Sequence, residues 1–287
     1  PGVSRSAAAP SQSFPRLERT MAKITTFRGL NALITGASSG IGRLLALRLA
    51  RQGARVALVA RRAAELESLA GEVRAGGGEA IVLPCDVGDA AAVFATAAAA
   101  RQQLGSVDIL INNAGYGHHR PFLEWDLADM ERMMRVNFFG ALYFTKALAP
   151  AMAAQRRGWL VFIASVAGKI GVPDESAYAA SKFAMVGLAE ALSVELEDAG
   201  VHVLTVCPGS IRTAFFDQEA LERMPPVARR SMVDPEPLVD AIMHALSAGK
   251  HELTYPRMIA AAYVTKAIAP GFMRRNLKRT TVDAMKK

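Results

Sequence analysis

Tyr178 and Lys182, in the run Tyr178-Ala-Ala-Ser-Lys182, stand one helical turn apart, a spacing that puts both side chains on one helix face. A free phenol titrates near pH 10 and exchanges protons poorly at neutral pH. A cation held beside it favours the phenolate and lowers that value, which would make Tyr178 a usable general acid or base. An exposed tyrosine–lysine pair on a helix has the same spacing, so other residues must decide.

Several do. Thr35-Gly-Ala-Ser-Ser-Gly-Ile-Gly42 follows an apolar run and leads into a helical pattern. Glycines there let the backbone turn sharply and approach a pyrophosphate, whose charge a helix N-terminus favours. Gly36, Ser38, Ser39, Gly40, Ile41 and Gly42 are therefore candidate cofactor contacts. The next apolar run ends in Ala60-Arg61-Arg62, where an NAD site carries an acidic residue for the ribose hydroxyls. Arginine suits a 2′-phosphate instead, so the expected cofactor is NADP(H), with Arg61 the better candidate and Arg62 beside it. Asp86-Val87 either reaches the adenine or caps the following helix. Asn112-Asn-Ala-Gly115 offers small residues for close approach and amides to tie strands, so Asn113, Ala114 and Gly115 join the cofactor set. Asn137 lies inside a helical pattern, where a buried amide needs a partner. Ser165 ends a strand-like run and is either a site hydroxyl or a turn residue. Pro208, Gly209, Ile211 and Thr213 follow the sixth run and are placed to hold a carboxamide.

The elements that must position these residues are regular. Strand-like apolar runs cover Leu30–Ile34, Arg55–Ala60, Ala80–Leu83, Val107–Ile111, Trp159–Ala164, Val201–Val206 and Glu252–Tyr255. Helical patterns fill 41–52, 63–75, 89–104, 126–155, 177–198 and 235–248. Near-continuous apolar strands alternating with helices predict a doubly wound α/β fold with a parallel sheet, its ligands at the strands' carboxyl ends. The motifs fall there.

At 287 residues, 51% hydrophobic and 21% charged, the chain is long enough for one large core. Cys85 and Cys207 are the only cysteines, which argues against a disulfide framework and for a reducing, cytoplasmic setting. No cysteine–histidine spacing suits a metal, and His118-His119 read as loop residues. The net charge is +8, but the excess gathers at the two ends, which argues against nucleic acid. No apolar run is long enough to cross a membrane.

Taken in order, these motifs make the chain resemble the short-chain dehydrogenase/reductase family from about Gly29 to Tyr255. The resemblance rests on TGASSGIG, NNAG, the lone helix Asn137, Ser165 thirteen residues before Tyr178, YAASK and PGSIRT. It implies a single Rossmann-type domain over 21–256 and a catalytic tetrad of Asn137, Ser165, Tyr178 and Lys182. In that scheme Ser165 holds the substrate oxygen and Tyr178 exchanges the proton. Lys182 lowers the phenol pKa and binds the nicotinamide ribose, so Tyr178 and Lys182 are also cofactor contacts. Asn137 positions a water. Helices 126–155 and 177–198 would form the interface of a homodimer or homotetramer.

The family places its substrate lid at Ala214–Met232. Phe215, Phe216, Leu221 and Met224 there, with Ile170 and Val172 after Ser165, predict an apolar pocket for a steroid-, retinoid- or lipid-like ketone or alcohol. A 3-oxoacyl group on an acidic carrier protein is an alternative substrate, and NADP binding without turnover a third reading. Residues 1–20, rich in Ser, Ala, Pro and Arg, read as a cloning remnant, an upstream extension or a targeting segment. Residues 257–287 read as a basic amphipathic extension, either lying on an anionic membrane or packed on the domain or a partner subunit.

Overall fold

A computed structural model of the chain describes residues 23–215 and 218–284, the side chains of Glu219 and Val227 excepted. Its centre is a seven-stranded sheet in the order β3-β2-β1-β4-β5-β6-β7. The strands are β1 (Asn31–Thr35), β2 (Arg55–Ala60), β3 (Glu79–Pro84), β4 (Ile109–Asn112), β5 (Gly158–Ile163), β6 (Val201–Pro208) and β7 (Glu252–Tyr255). Every pairing is parallel. The order reverses direction between β1 and β4, and that switch point opens the crevice in which such sheets bind ligands.

The periodicity placed these strands within two residues at each end. The apolar runs are uninterrupted because both sheet faces are covered. Ile34, Val56 and Ile109 pack on one side, and Leu33, Leu110 and Phe162 on the other. Leu33 and Leu110 are fully buried; truncating such a residue to alanine costs about 2–5 kcal/mol. Helices α1 (Gly40–Arg51), α2 (Ala63–Ala75) and α3 (Ala90–Leu104) follow the first three strands.

The helical pattern over 126–155 is not one regular helix. It runs as α4 (Leu127–Met134), a π-helical turn (Arg135–Phe139) and α5 (Gly140–Ala154). The wider turn, a common device at functional sites, holds Asn137 inward and fully buried. Next come α6 (Ser176–Glu195), the short α7 (Gln218–Arg223) and α8 (Pro226–Arg230), and α9 (Pro235–Ser247). Two helices past the sheet, α10 (Ala260–Ile268) and α11 (Pro270–Leu277), continue into a second π-helical turn at Lys278–Val282. No helix among the described residues is long and apolar enough to cross a membrane. Cys85 and Cys207 are free and buried.

Candidate active site

The carboxyl edge of the sheet borders a cleft of about 650 Å³. On the β1 side, Thr35 latches the glycine loop to β4. Its hydroxyl accepts from the backbone N–H of Asn113 at 2.9 Å and of Ala114 at 3.0 Å, while Asn113 Nδ2 donates to Thr35 O at 2.9 Å. Gly36 sits at φ +66, and a Cβ there would lie 2.8 Å from Asn113 Nδ2, so only glycine suits the turn. Gly42 was expected to face the cofactor but does not line the cleft. It packs behind the loop, where a Cβ would stand 2.5 Å from Gly36 O.

Ser39, the N-cap of α1, makes no side-chain cap bond, and no acidic residue occupies the first turn. The free N–H groups of that turn therefore face the cleft with a positive dipole end, the donor set that a phosphate requires. Arg61 and Arg62 both line the cleft. Arg62, rather than the favoured Arg61, reaches the loop, with Nη2 donating to Ser38 Oγ at 2.9 Å and Ser39 Oγ at 3.1 Å. Asp86 accepts from Gly88 N at 3.0 Å; the cap of α3 is Asp89 instead. Asp86 and Val87 line the cleft, as do Pro208, Gly209, Ile211 and Thr213 from the end of β6. These residues fit a nicotinamide dinucleotide.

At the centre of the cleft, the Tyr178 phenol and the Ser165 side chain face the same cavity, close enough for the serine to lower the phenol's pKa. Ser165 Oγ accepts from Ala167 N at 3.1 Å, which fixes the hydroxyl at the end of β5. Lys182 Nζ donates to Ile163 O at 2.8 Å and lies 5.7 Å from the Tyr178 ring centre. Asn137 stands one layer back from the cleft wall. Its Oδ1 accepts from Tyr116 N at 3.0 Å, and its Nδ2 donates to Tyr116 O at 2.9 Å and Ser181 Oγ at 3.0 Å. Gly115 joins the two halves: a Cβ there would be 3.1 Å from Asn137 Oδ1 and 3.6 Å from Lys182 Nζ. All four residues of the expected tetrad thus converge.

The electrostatics differ from the expectation for Tyr178. Burial pushes the phenol above its usual value, the Glu175 carboxylate raises it further, and the Ser165 side chain only partly opposes them. The Lys182 ammonium is itself desolvated and donates to a backbone carbonyl. Burial lowers Lys182 from 10.5 to about 8. Between these values the unfolded chain holds the lysine proton more often than the folded one. Stability therefore rises with pH across that window, and the cost of burying the ammonium is felt in full below it. In cofactor-free Lys182→Met, the denaturant midpoint should climb less over that window than in wild type. Equal slopes would rule out a depressed lysine.

On the substrate side, Val172, Phe215 and Met224 line the cleft, with the Phe215 ring centre 5.8 Å from that of Tyr178. Ile170 and Leu221 do not. The 3-10 turn Val166–Gly168 redirects the chain after Ser165, and Ile170 is buried outside the cleft wall. Phe216 lies outside the described residues. Periodicity gave no sign of two further walls. The C-terminal segment folds back so that Leu277, Thr280 and Thr281 close the cleft beside Pro225 and Ala228, with Met273 and Thr281 buried. Its inner face is thus packed on the domain. His119, expected to be an ordinary loop residue, also lines the cleft, as does Glu175. The one signal for Glu175 was its place three residues before Tyr178.

A family model described as short chain dehydrogenase matches residues 30–223. The chain belongs to the short-chain dehydrogenases. As a member of that family it is an oxidoreductase of the CH–OH/C=O type with a nicotinamide cofactor. Among curated relatives, it is 37% identical over 227 residues to oxidoreductase UcpA of Salmonella typhimurium, covering 79% of this chain and 82% of that one. It is 34% identical over 223 residues to ketoacyl reductase HetN of Nostoc sp., covering 78% and 77%. Among solved structures, it superposes on a short-chain dehydrogenase/reductase from Burkholderia phymatum in complex with NAD. The TM-score is 0.79 at 29% identity, over 86% of this chain and 95% of that one. A metagenomic short-chain oxidoreductase in complex with NADP matches at TM-score 0.69 and 32% identity, over 79% and 97%.

Proposed function

We propose that this short-chain dehydrogenase exchanges hydride between NADP(H) and a lipophilic ketone or secondary alcohol, with Tyr178 as the proton-transfer group. The observation that carries the reading is the meeting of Tyr178, Ser165 and the buried Lys182 in the wall of one cleft at the sheet's carboxyl edge. Ser165, held by Ala167 N, orients the substrate oxygen. Tyr178, its phenol kept protonated by burial, gives that oxygen a proton in the reducing direction. Bound nicotinamide supplies the hydride, or accepts it in reverse. Lys182, fixed by Ile163 O, sits close enough to Gly115 to meet the cofactor ribose. Asn137 keeps the Tyr116 backbone and Ser181 in register with the reacting pair. Water is kept out by Phe215, Met224 and Leu277, and the apolar character of that wall supports a steroid-, retinoid- or lipid-like substrate.

The test is a panel of ketones and alcohols followed at the reduced-nicotinamide absorbance band, with NADPH and NADH in parallel. Turnover of apolar carbonyls with NADPH is the expected outcome; NADP binding without turnover of any carbonyl would leave an interaction protein. A second reading, reduction of a 3-oxoacyl group on an acidic carrier, is favoured by the name of the Nostoc relative and by the +8 charge. Activity confined to the carrier-bound substrate would select it. Assembly as a homodimer or homotetramer is supported by Phe139 and Phe183, exposed on the π-helical turn before α5 and on α6.

The outer face of the C-terminal segment supports peripheral contact with an anionic membrane. Ile268 is 79% and Phe272 57% exposed. Arg275 and Arg279 follow Phe272 one and two turns on, and Arg274 and Lys278 are exposed beside them. Apolar side chains among cations are the composition of an interfacial helix. The full chain should co-sediment with phosphatidylserine vesicles, less so in high salt, and Ile268→Asp with Phe272→Asp should lower that binding about tenfold. Equal sedimentation with neutral and anionic vesicles would end the idea.

A further inference from the structure

Glu175 and His119 are two titratable residues in the cleft wall that the tetrad does not use. Glu175 Oε1 and His119 Nε2 stand 3.2 Å apart, with side chains only 15% and 5% exposed. They come from different loops, stitched together where Arg120 N donates to Asp174 O at 2.7 Å. Asp174 holds a left-handed φ of +62, unusual for a residue with a side chain. Glu175 occupies the N-cap of α6, where a carboxylate would ordinarily accept a backbone N–H of its own helix. It makes no such bond. It lines the cleft instead, one turn before Tyr178 and on the same face, close enough to raise the phenol.

The surroundings leave this carboxyl short of positive charge. Asp174 is its charged chain neighbour. His119 is the one basic group in ion-pair contact with it among the described residues, and burial drives His119 towards the neutral form, Asp174 opposing this and His118 adding to it. Glu175 itself is raised to about 7 by burial and then by Asp174. Tyr178, the remaining titratable group facing it, is neutral. A largely buried carboxyl whose one paired base is driven neutral is costly unless a ligand supplies a donor.

We propose that Glu175 and His119 form a polar subsite beside Tyr178 that takes a second hydrogen-bond donor of the substrate, a hydroxyl or ammonium group next to the reacting carbinol or carbonyl carbon. The subsite rests on the oxidoreductase reading and narrows it. The substrate body is lipophilic, against Phe215, Met224 and Leu277, but the reacting end is bifunctional. Ser165 and Tyr178 take the oxygen that changes oxidation state, and Glu175 accepts from its neighbour.

Three matched probes test it: cyclohexanol, trans-1,2-cyclohexanediol and trans-2-aminocyclohexanol. Each is measured by equilibrium binding to the NADP-loaded enzyme and by turnover. The readout is the ratio of affinities between a donor-bearing probe and cyclohexanol, which a general loss of packing does not move. Wild type should favour both donor-bearing probes about tenfold or more, the scale of a hydrogen bond to a charged group. Glu175→Leu should bring both ratios to about one. Glu175→Gln, which keeps shape and a carbonyl acceptor, should retain the diol preference and lose the amino-alcohol preference. Ratios near one in wild type, or unchanged in both variants, overturn the subsite. Absence of turnover with all three probes, but with the binding ratios as expected, would count against the bound carbinol as the reacting group and leave the subsite standing.

Discussion

Tyr178→Phe should lower kcat for carbonyl reduction by about 10²- to 10⁴-fold, the usual worth of a positioned proton donor, while the dissociation constant for NADPH stays within about twofold. The asymmetry follows from geometry. The phenol shares the cleft with the Ser165 side chain, whereas the ring lies against Phe215, so removing the oxygen empties the proton position and keeps the packing. The glycine loop, Arg62 and the N-terminus of α1 are left untouched. Stopped-flow hydride transfer with calorimetric NADPH binding separates the two effects. Wild-type turnover in the variant would mean that another group supplies the proton, and the assignment of Tyr178 would fall. Because burial holds the phenol above its usual value, the enzyme without ligands is set to donate at neutral pH. Oxidation of the alcohol requires the phenolate and should accelerate with rising pH, whereas reduction should not.

The second large effect concerns the cofactor. Joint replacement of Arg61 and Arg62 by Asp should raise the KM for NADPH by about 10²-fold or more. Each lost charge-assisted hydrogen bond is worth about 1.5–3 kcal/mol, and each introduced carboxylate repels the 2′-phosphate. The KM for NADH should change little or improve, because a carboxylate at the end of β2 accepts from the ribose hydroxyls. Of the single variants, Arg62→Asp should have the larger effect, since Arg62 already spans to Ser38 and Ser39. An unchanged NADPH-to-NADH ratio in the double variant would refute the reading of NADP preference. Both arginines would then be solvated residues before α2.

Some of this was legible in the chain itself. Apolar runs of strand length alternating with helical patterns dictate a parallel doubly wound sheet, because only burial on both faces explains strands without polar alternation. A residue's side of a strand or helix follows from local spacing alone. Tyr178 beside Lys182, and the glycine loop between β1 and α1, were therefore readable before any coordinates.

The remainder depended on which distant segments meet and how completely they exclude water. Helical spacing put a cation near the Tyr178 ring, yet burial of both groups reversed the expected direction of the phenol shift. The sequence pointed to Arg61, but the fold of the loop brought Arg62 to the serines. Ile170 and Gly42 have the right types and near neighbours, and the chain path turns them away from the cleft. His119 and Glu175 lie 56 positions apart in the chain and meet only because two loops cross at Arg120 and Asp174. The C-terminal segment reads as an appendage until its π-helical turn is seen lying over the cleft. Local periodicity sets what each element is. Desolvation and long-range contact, which no local pattern encodes, set what its side chains can do.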